Sequence, residues 1–247
     1  MIHLVTSANA ILYKPQLEQM HRLRWRVYVE ERGWRELREM QAEPGLERDC
    51  YDDARAHYLL ALDMDGSVQG AMRVRSADDR SLLLDRFSHL LDEPVATFPD
   101  VWELTRLLRA PMSRAREGAV RYSMNCALIE FCISRGVKKL VAESETFLLP
   151  MTRKAWGPKV RPLGLPQSYE EGEIVAVELT PDKEALSMMR AAGAVEHPQF
   201  FEHPAPWRAY GHDPVAAAAA IEALYAAPQG ALPEIAQSLG HFVLDAA

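Results

Sequence analysis

Trp102-Glu103-Leu104-Thr105-Arg106 is the stretch on which the fold turns. It follows Pro99-Asp100, a turn signal. Val101, Leu104, Leu107 and Leu108 make it apolar enough for a buried strand, and Trp and Thr suit one. On a regular strand Glu103 and Thr105 share one face, while Trp102, Leu104 and Arg106 share the other. A carboxylate on an otherwise apolar strand is costly to bury unless it is paired. Two explanations stand: a structural Glu–Arg ion pair at a sheet edge, or a catalytic carboxylate held in a cleft.

Downstream, Val120, Met124, Ala127, Leu128 and Phe131 repeat at helical spacing and predict a long helix ending at Gly136. Residues 140–142 read as a strand, 147–156 as a helix, and 160–163 and 174–179 as two more strands. A helix follows over 181–192, with Thr180 as N-cap and Pro181 at its first position. Upstream, 57–62 and 68–75 flank the turn Asp63-Met64-Asp65-Gly66-Ser67 and predict a hairpin. Arg73, inside its second strand, needs a partner, and aspartates are the candidates.

Further upstream, residues 3–6 suit a first strand. Leu17, Met20, Leu23 and Val27 predict a helix that stops near Arg32-Gly33. Arg24 and Tyr28 lie one turn apart on it. Trp34 follows at once, as a packing anchor or a lid over a ligand. Between helix and hairpin, Glu47-Arg48-Asp49-Cys50-Tyr51-Asp52-Asp53 places four acids in seven residues. These form a solvated loop, or else Asp49 and Asp52 reach a cationic ligand or nearby arginines. The Asp/Gly pattern of a calcium loop is absent.

Composition narrows the function. Twenty-eight basic against 35 acidic residues give a net charge of −7, which argues against general nucleic-acid binding. No run approaches the roughly 18 apolar residues of a membrane span, and the first residues lack a signal-peptide pattern. Three cysteines, an odd and sparse count, suit a reducing cytoplasm. The histidines have no ligand spacing, so no metal is expected. Arg106, Arg109, Arg114, Arg116 and Arg121, with Lys138, Lys139, Arg153 and Lys154, read as a solvated surface or as a docking face for a phosphate-bearing or acidic partner. After residue 192 the composition shifts. A Pro- and His-rich linker leads to helices over 213–225 and around Ile235, Leu239 and Phe242, giving a main domain over 1–192 and a helical extension over 193–247 packed on it.

The ordered motifs resemble the acyl-homoserine lactone synthases, the bacterial autoinducer synthases. Arg24, Tyr28 and Gly33-Trp34 match the family's Arg, aromatic and Gly-Trp pattern. Asp49-Cys50-Tyr51-Asp52 matches its Asp-x-Tyr-Asp. Arg73 matches the Arg on the strand after the hairpin, and Glu103-Leu104-Thr105-Arg106 its Glu-x-Ser/Thr-Arg. The resemblance covers roughly residues 1–192. Tyr28 stands where many members have Phe, and the tail is longer than the family norm.

The resemblance implies an α/β (α+β) fold of the N-acetyltransferase type, whose mixed sheet, flanked by helices, splays open to admit the pantetheine arm of a thioester. It implies that the amine of S-adenosylmethionine attacks an acyl thioester, and that its carboxylate then closes on its own γ-carbon, releasing methylthioadenosine and an acyl-homoserine lactone. No cofactor is then needed. The partners are S-adenosylmethionine and an acyl-CoA or acyl–acyl carrier protein. Glu103 is the expected base. Arg24, Arg73 and Arg106 are expected to pair with the substrate carboxylate and with Asp49 and Asp52, Trp34 to lie against the sulfonium or adenine, and Tyr28 and Thr105 to line the pocket. Members selecting 3-oxo chains often carry a Thr in the strand after the long helix; Leu140-Val141-Ala142 disfavours such a substrate. The first 31 residues look most like members using coenzyme A thioesters of branched or aryl acids. An ordinary acetyl-CoA-dependent N-acyltransferase and a non-catalytic ligand sensor are the rivals.

Overall fold

The computed structural model describes residues 1–203 except 40–42, 79, 96 and 171. The expected helices beyond residue 213 lie outside the described residues.

The strands are β1 (Ile2–Val5), β2 (His57–Leu62), β3 (Val68–Ser76), β4 (Val101–Arg109), β5 (Lys139–Glu145), β6 (Val160–Pro162), β7 (Gln167–Tyr169), β8 (Gly172–Leu179) and β9 (Phe200–Glu202). They form one mixed sheet in the order β6-β8-β5-β4-β3-β2-β1-β9, with β7 beside β8. The parallel strand β9 pairs with β1, so the sheet takes in residues beyond 192.

The helices are α1 (Lys14–Arg24), continued by a π-helical stretch at Trp25–Glu31, then α2 (Arg35–Glu39), α3 (Leu82–Arg86), α4 (Arg114–Arg135), α5 (Leu149–Trp156) and α6 (Lys183–Gly193). α4 carries the main core against one sheet face, through Met124, Ala127, Leu128 and Phe131 against Leu4, Leu59, Met72 and Leu104. At Gly70 a Cβ would stand 2.7 Å from the Met124 sulfur of α4, which would have to swing aside. α1 and its π-helical end cover the opposite face, where Met20, Val27 and Tyr28 pack on Val5, Tyr58 and Leu60. Gly136, at φ 72°, ends α4 as the spacing predicts. α6 begins later than expected: Asp182, not Thr180, caps it by accepting from the Ala185 amide at 2.8 Å.

The split of the sheet positions the site. β4 and β5 run parallel and pair only through Val101–Lys139, Trp102–Leu140 and Glu103–Val141. Beyond Glu103, β4 stays paired with β3 as far as Arg109, and β5 with β8 as far as Glu145. The two halves therefore part at Leu104 and Ala142. Their facing edges present backbone donors and acceptors not satisfied by each other, which suits an extended amide-bearing chain.

Candidate active site

Three arginines and three carboxylates meet on the α1 face of the sheet. The Arg24 side chain, at 0% exposure, bonds Glu47 through Nε and donates to both Asp52 oxygens at 2.7 and 2.9 Å. Arg73 donates to Asp52 at 2.8 Å, to Asp49 at 3.0 Å and, through Nε, to the Thr105 hydroxyl at 3.0 Å. Arg106 donates to Asp49 at 2.8 Å and to Glu47 at 3.0 Å. Tyr58 adds a donor to Asp52 at 2.8 Å. The formal charges cancel, which makes burial tolerable. Burial alone would push the Glu47 carboxyl up; Arg106 and Arg24 outweigh it and hold it down to about 2. Asp52 is likewise held well below the usual range, the pull of Arg24 and Arg73 exceeding the cost of burial.

Arg106 reaches this network through a distortion of β4. Ala71 faces Leu108 while Arg73 faces Thr105, so Arg106 and Leu107 together oppose Met72 alone. Arg106 has φ 55°, the left-handed region, costly for a non-glycine residue by about 1–3 kcal/mol. The bulge breaks the expected alternation and brings Arg106 to the same carboxylates that Arg73 holds on Thr105's face. The Glu103–Arg106 ion pair therefore does not form. Glu103, 1% exposed, accepts from Ser81 Oγ at 2.7 Å and from the Leu82 and Leu83 amides at 3.0 and 2.7 Å. It pins the start of α3 to the last rung before the fork.

Aromatic side chains stand beside the network. Tyr28 and Trp34 stack at 4.9 Å and 18°, with the Arg32 guanidinium 5.2 Å from the Tyr28 ring. Arg106 lies 5.6 Å from the same ring, and the Tyr28 hydroxyl donates to the Leu107 carbonyl at 3.3 Å. The π-helical stretch places Tyr28 here, and Gly33, at φ 69°, turns the chain so that Trp34 returns onto it.

One cavity of about 840 Å³ runs from these aromatics through the fork. Its charged end is lined by Tyr28, Trp34, Asp49, Thr105, Arg106 and Glu143. Its other end, toward α4 and α5, is lined by Leu104, Ala142, Leu148, Met151, Trp156 and Val177. Asn125 holds the Trp156 indole at 3.0 Å there. The cavity thus joins a charged, aromatic chamber to an apolar one across the gap in the sheet. This arrangement suits bringing a charged nucleophile and an apolar acyl group to one point.

Comparison with known proteins identifies the family. The pattern described as autoinducer synthase matches residues 8–189. The chain belongs to the autoinducer synthase family. This autoinducer synthase is 34% identical over 190 residues to the isovaleryl-homoserine lactone synthase of Bradyrhizobium diazoefficiens, covering 76% of this chain and 84% of the relative. It is 28% identical over 194 residues to the acyl-homoserine-lactone synthase of Aeromonas salmonicida, covering 75% and 87%. Among solved structures it resembles a CoA-dependent acyl-homoserine lactone synthase, BjaI, with SAM and isopentyl-CoA, at a TM-score of 0.74 and 31% identity over 83% of this chain and 93% of that one.

Of the residues the sequence singles out in this autoinducer synthase, Tyr28, Trp34, Asp49, Thr105 and Arg106 line the cavity. Arg24, Asp52 and Arg73 stand behind them in the ion-pair network, and Glu103 is held by α3 outside the cavity wall. The basic cluster divides. Arg109 and Arg121 line the cavity, each with a buried Nε lacking a hydrogen-bond partner among the described residues. Arg116 pairs with Asp63, and Lys139 pairs with Glu178 at 3.1 Å at the opposite end of the sheet. Three residues were not legible as site residues. Glu47 lay within the acidic run, Arg32 read as a helix stop, and Glu143 lay one position beyond the strand as predicted. Among the described residues no group of His, Cys, Asp or Glu is arranged to hold a metal ion, and no helix is long and apolar enough to cross a membrane.

Proposed function

We propose that this autoinducer synthase transfers an acyl group from a coenzyme A thioester to the amine of S-adenosylmethionine and then closes the lactone, releasing methylthioadenosine. The observation that carries this is the cavity through the fork, with a charged and aromatic chamber on one side and an apolar one on the other. The adenosyl group and sulfonium lie against the Tyr28–Trp34 stack, where a cation gains from the ring faces. Arg106, still 9% exposed at its side chain, takes the substrate carboxylate, and Asp49 faces the ammonium. Arg24, Arg73, Asp52 and Thr105 hold those two in place. The ammonium proton leaves toward the carboxylates of the fork, of which Glu103 is the one in the family motif. The pantetheine arm lies along the parted edges of β4 and β5, its acyl chain enters the Trp156 end, and Arg109 and Arg121 meet its phosphates. No cofactor takes part, and the reaction belongs in the cytoplasm, where both substrates are made. The domain over 1–192, with β9, carries the chemistry.

Incubation with S-adenosylmethionine and a panel of acyl-CoA and acyl–acyl carrier protein thioesters, isopentyl-CoA first, tests this. Mass spectrometry is expected to find acyl-homoserine lactone and methylthioadenosine in equal amounts. An acylated S-adenosylmethionine that never closes, or acylation of another amine only, would count against it. No transfer from any thioester would leave a ligand sensor.

A further inference from the structure

We propose that Glu143 on β5 is the group that takes the proton from the attacking amine. The inference rests on the acyl-transfer reading above. Val141 is the partner of Glu103 at the last closed rung, so Glu143, two residues on, projects from the same face just past the fork. Strand rise and spacing put the two carboxylates about 8 Å apart at their Cβ atoms. Glu103 is engaged by three donors from α3 and does not line the cavity. Glu143 lines it, and its Oε1 is buried without a hydrogen-bond partner among the described residues. A buried acceptor left open toward a reactant cavity is positioned to accept a proton there.

The surroundings tune it. Burial, and then the neighbouring Glu103 charge, push the Glu143 carboxyl up to about 8, against the weaker opposing pull of Arg106 and Arg73. On its other side β8 opposes it with Ala176, which is uncharged. A base whose affinity for protons lies near the working pH is the efficient kind. An arriving ammonium replaces the lost solvation and favours the ionised form. Glu143 then takes one proton. The nitrogen lone pair forms the new C–N bond at the thioester carbon, the C–S bond breaks, and sulfur leaves with its electron pair. The nitrogen's second proton passes to that thiolate, giving the thiol, and Glu143 returns its own proton to solvent.

The test uses the full chain, with Glu143→Gln and Glu143→Asp. Methylthioadenosine, which lacks the reacting α-amine, reports the adenosyl pocket by calorimetry. Glu143→Gln is expected to bind it within a few-fold of wild type, to lose roughly 100-fold or more in kcat, and to lose a rise in kcat/KM centred near pH 8. Glu143→Asp should restore part of the rate with that rise displaced. Should Glu143→Gln not fold, Glu143→Asp carries the test: a displaced rise supports the proposal and an unmoved one overturns it. A Glu143→Gln enzyme with wild-type kcat and pH profile overturns this inference and leaves the acyl-transfer reading intact. A wild type that binds methylthioadenosine but acylates nothing overturns both.

Discussion

Glu103 shows how much structure one side chain can hold together. It accepts from Ser81, Leu82 and Leu83, so it anchors α3 beside the fork. Glu103→Gln keeps the shape but turns an NH2 toward donors that need acceptors. Hydrogen bonds to a charged acceptor contribute about 1.5–3 kcal/mol each, so this variant should melt several degrees lower. Its effect on rate separates two roles. If Glu103 acts by raising the proton affinity of Glu143, its loss should move the rise in kcat/KM to lower pH without abolishing it. A rise that vanishes would make Glu103 the acceptor. The motif around Glu103 was legible because a charge on an apolar strand demands an explanation. Its partners were not, because they come from α3, some 20 residues upstream, and only the folded chain brings them together.

At the level of elements, the loop between α2 and β2 is held by the ion pairs it supplies. Glu47, Asp49 and Asp52 come from it, and Arg24, Arg73 and Arg106 come from α1, β3 and β4. Asp52→Ala leaves two buried guanidinium groups short of a partner and should lower unfolding free energy by about 3–5 kcal/mol in denaturant titrations. The basic residues divide by what they face, even along the single helix α4. Arg121→Glu, facing the cavity, should raise KM for acyl-CoA and weaken its salt dependence, whereas Arg116→Glu should disturb only the surface pair with Asp63. Equal effects from both would mean that the donor's phosphates follow another path. The long helices and the hairpin were readable because their apolar residues recur at regular spacing. β5 was read short because Glu143, Ser144 and Glu145 face the cavity rather than core, so their polarity hid the strand. The bulge at Arg106 left no mark in the pattern, since nothing but Leu107 beside it departs from an ordinary strand.

For the whole molecule, buried ionisable groups of opposite tendency shape stability against pH. Glu47, at about 2, and Asp52 are held below their unfolded values, so their contribution is present above about pH 4.5 and lost as pH falls through the folded values. Half-buried His3 and buried His21 are held down to about 4, mainly by desolvation, so stability also falls as pH drops below about 6.5, where the unfolded chain gains protons that the folded one refuses. Glu143 runs the other way. Its folded value, about 8, lies above the unfolded one, so its contribution is complete below about pH 4.5 and is lost as pH rises to about 8. Together these groups place maximum stability near pH 6 to 7, with a decline above it to which Glu143 contributes, as does Glu145, also raised by burial. Melting temperatures of wild type and Glu143→Gln, taken from pH 5 to 9 without ligand, isolate that part, because every other group is common to both. The variant should gain on wild type steadily up to about pH 8 and hold a constant lead beyond. S-adenosylmethionine should narrow the lead, because its ammonium stabilises the ionised carboxylate only in wild type. Methylthioadenosine, lacking the amine, should leave it unchanged. Two curves that run parallel across the whole range would mean that Glu143 keeps an ordinary proton affinity, and the proton acceptor would have to be sought elsewhere along the cavity wall.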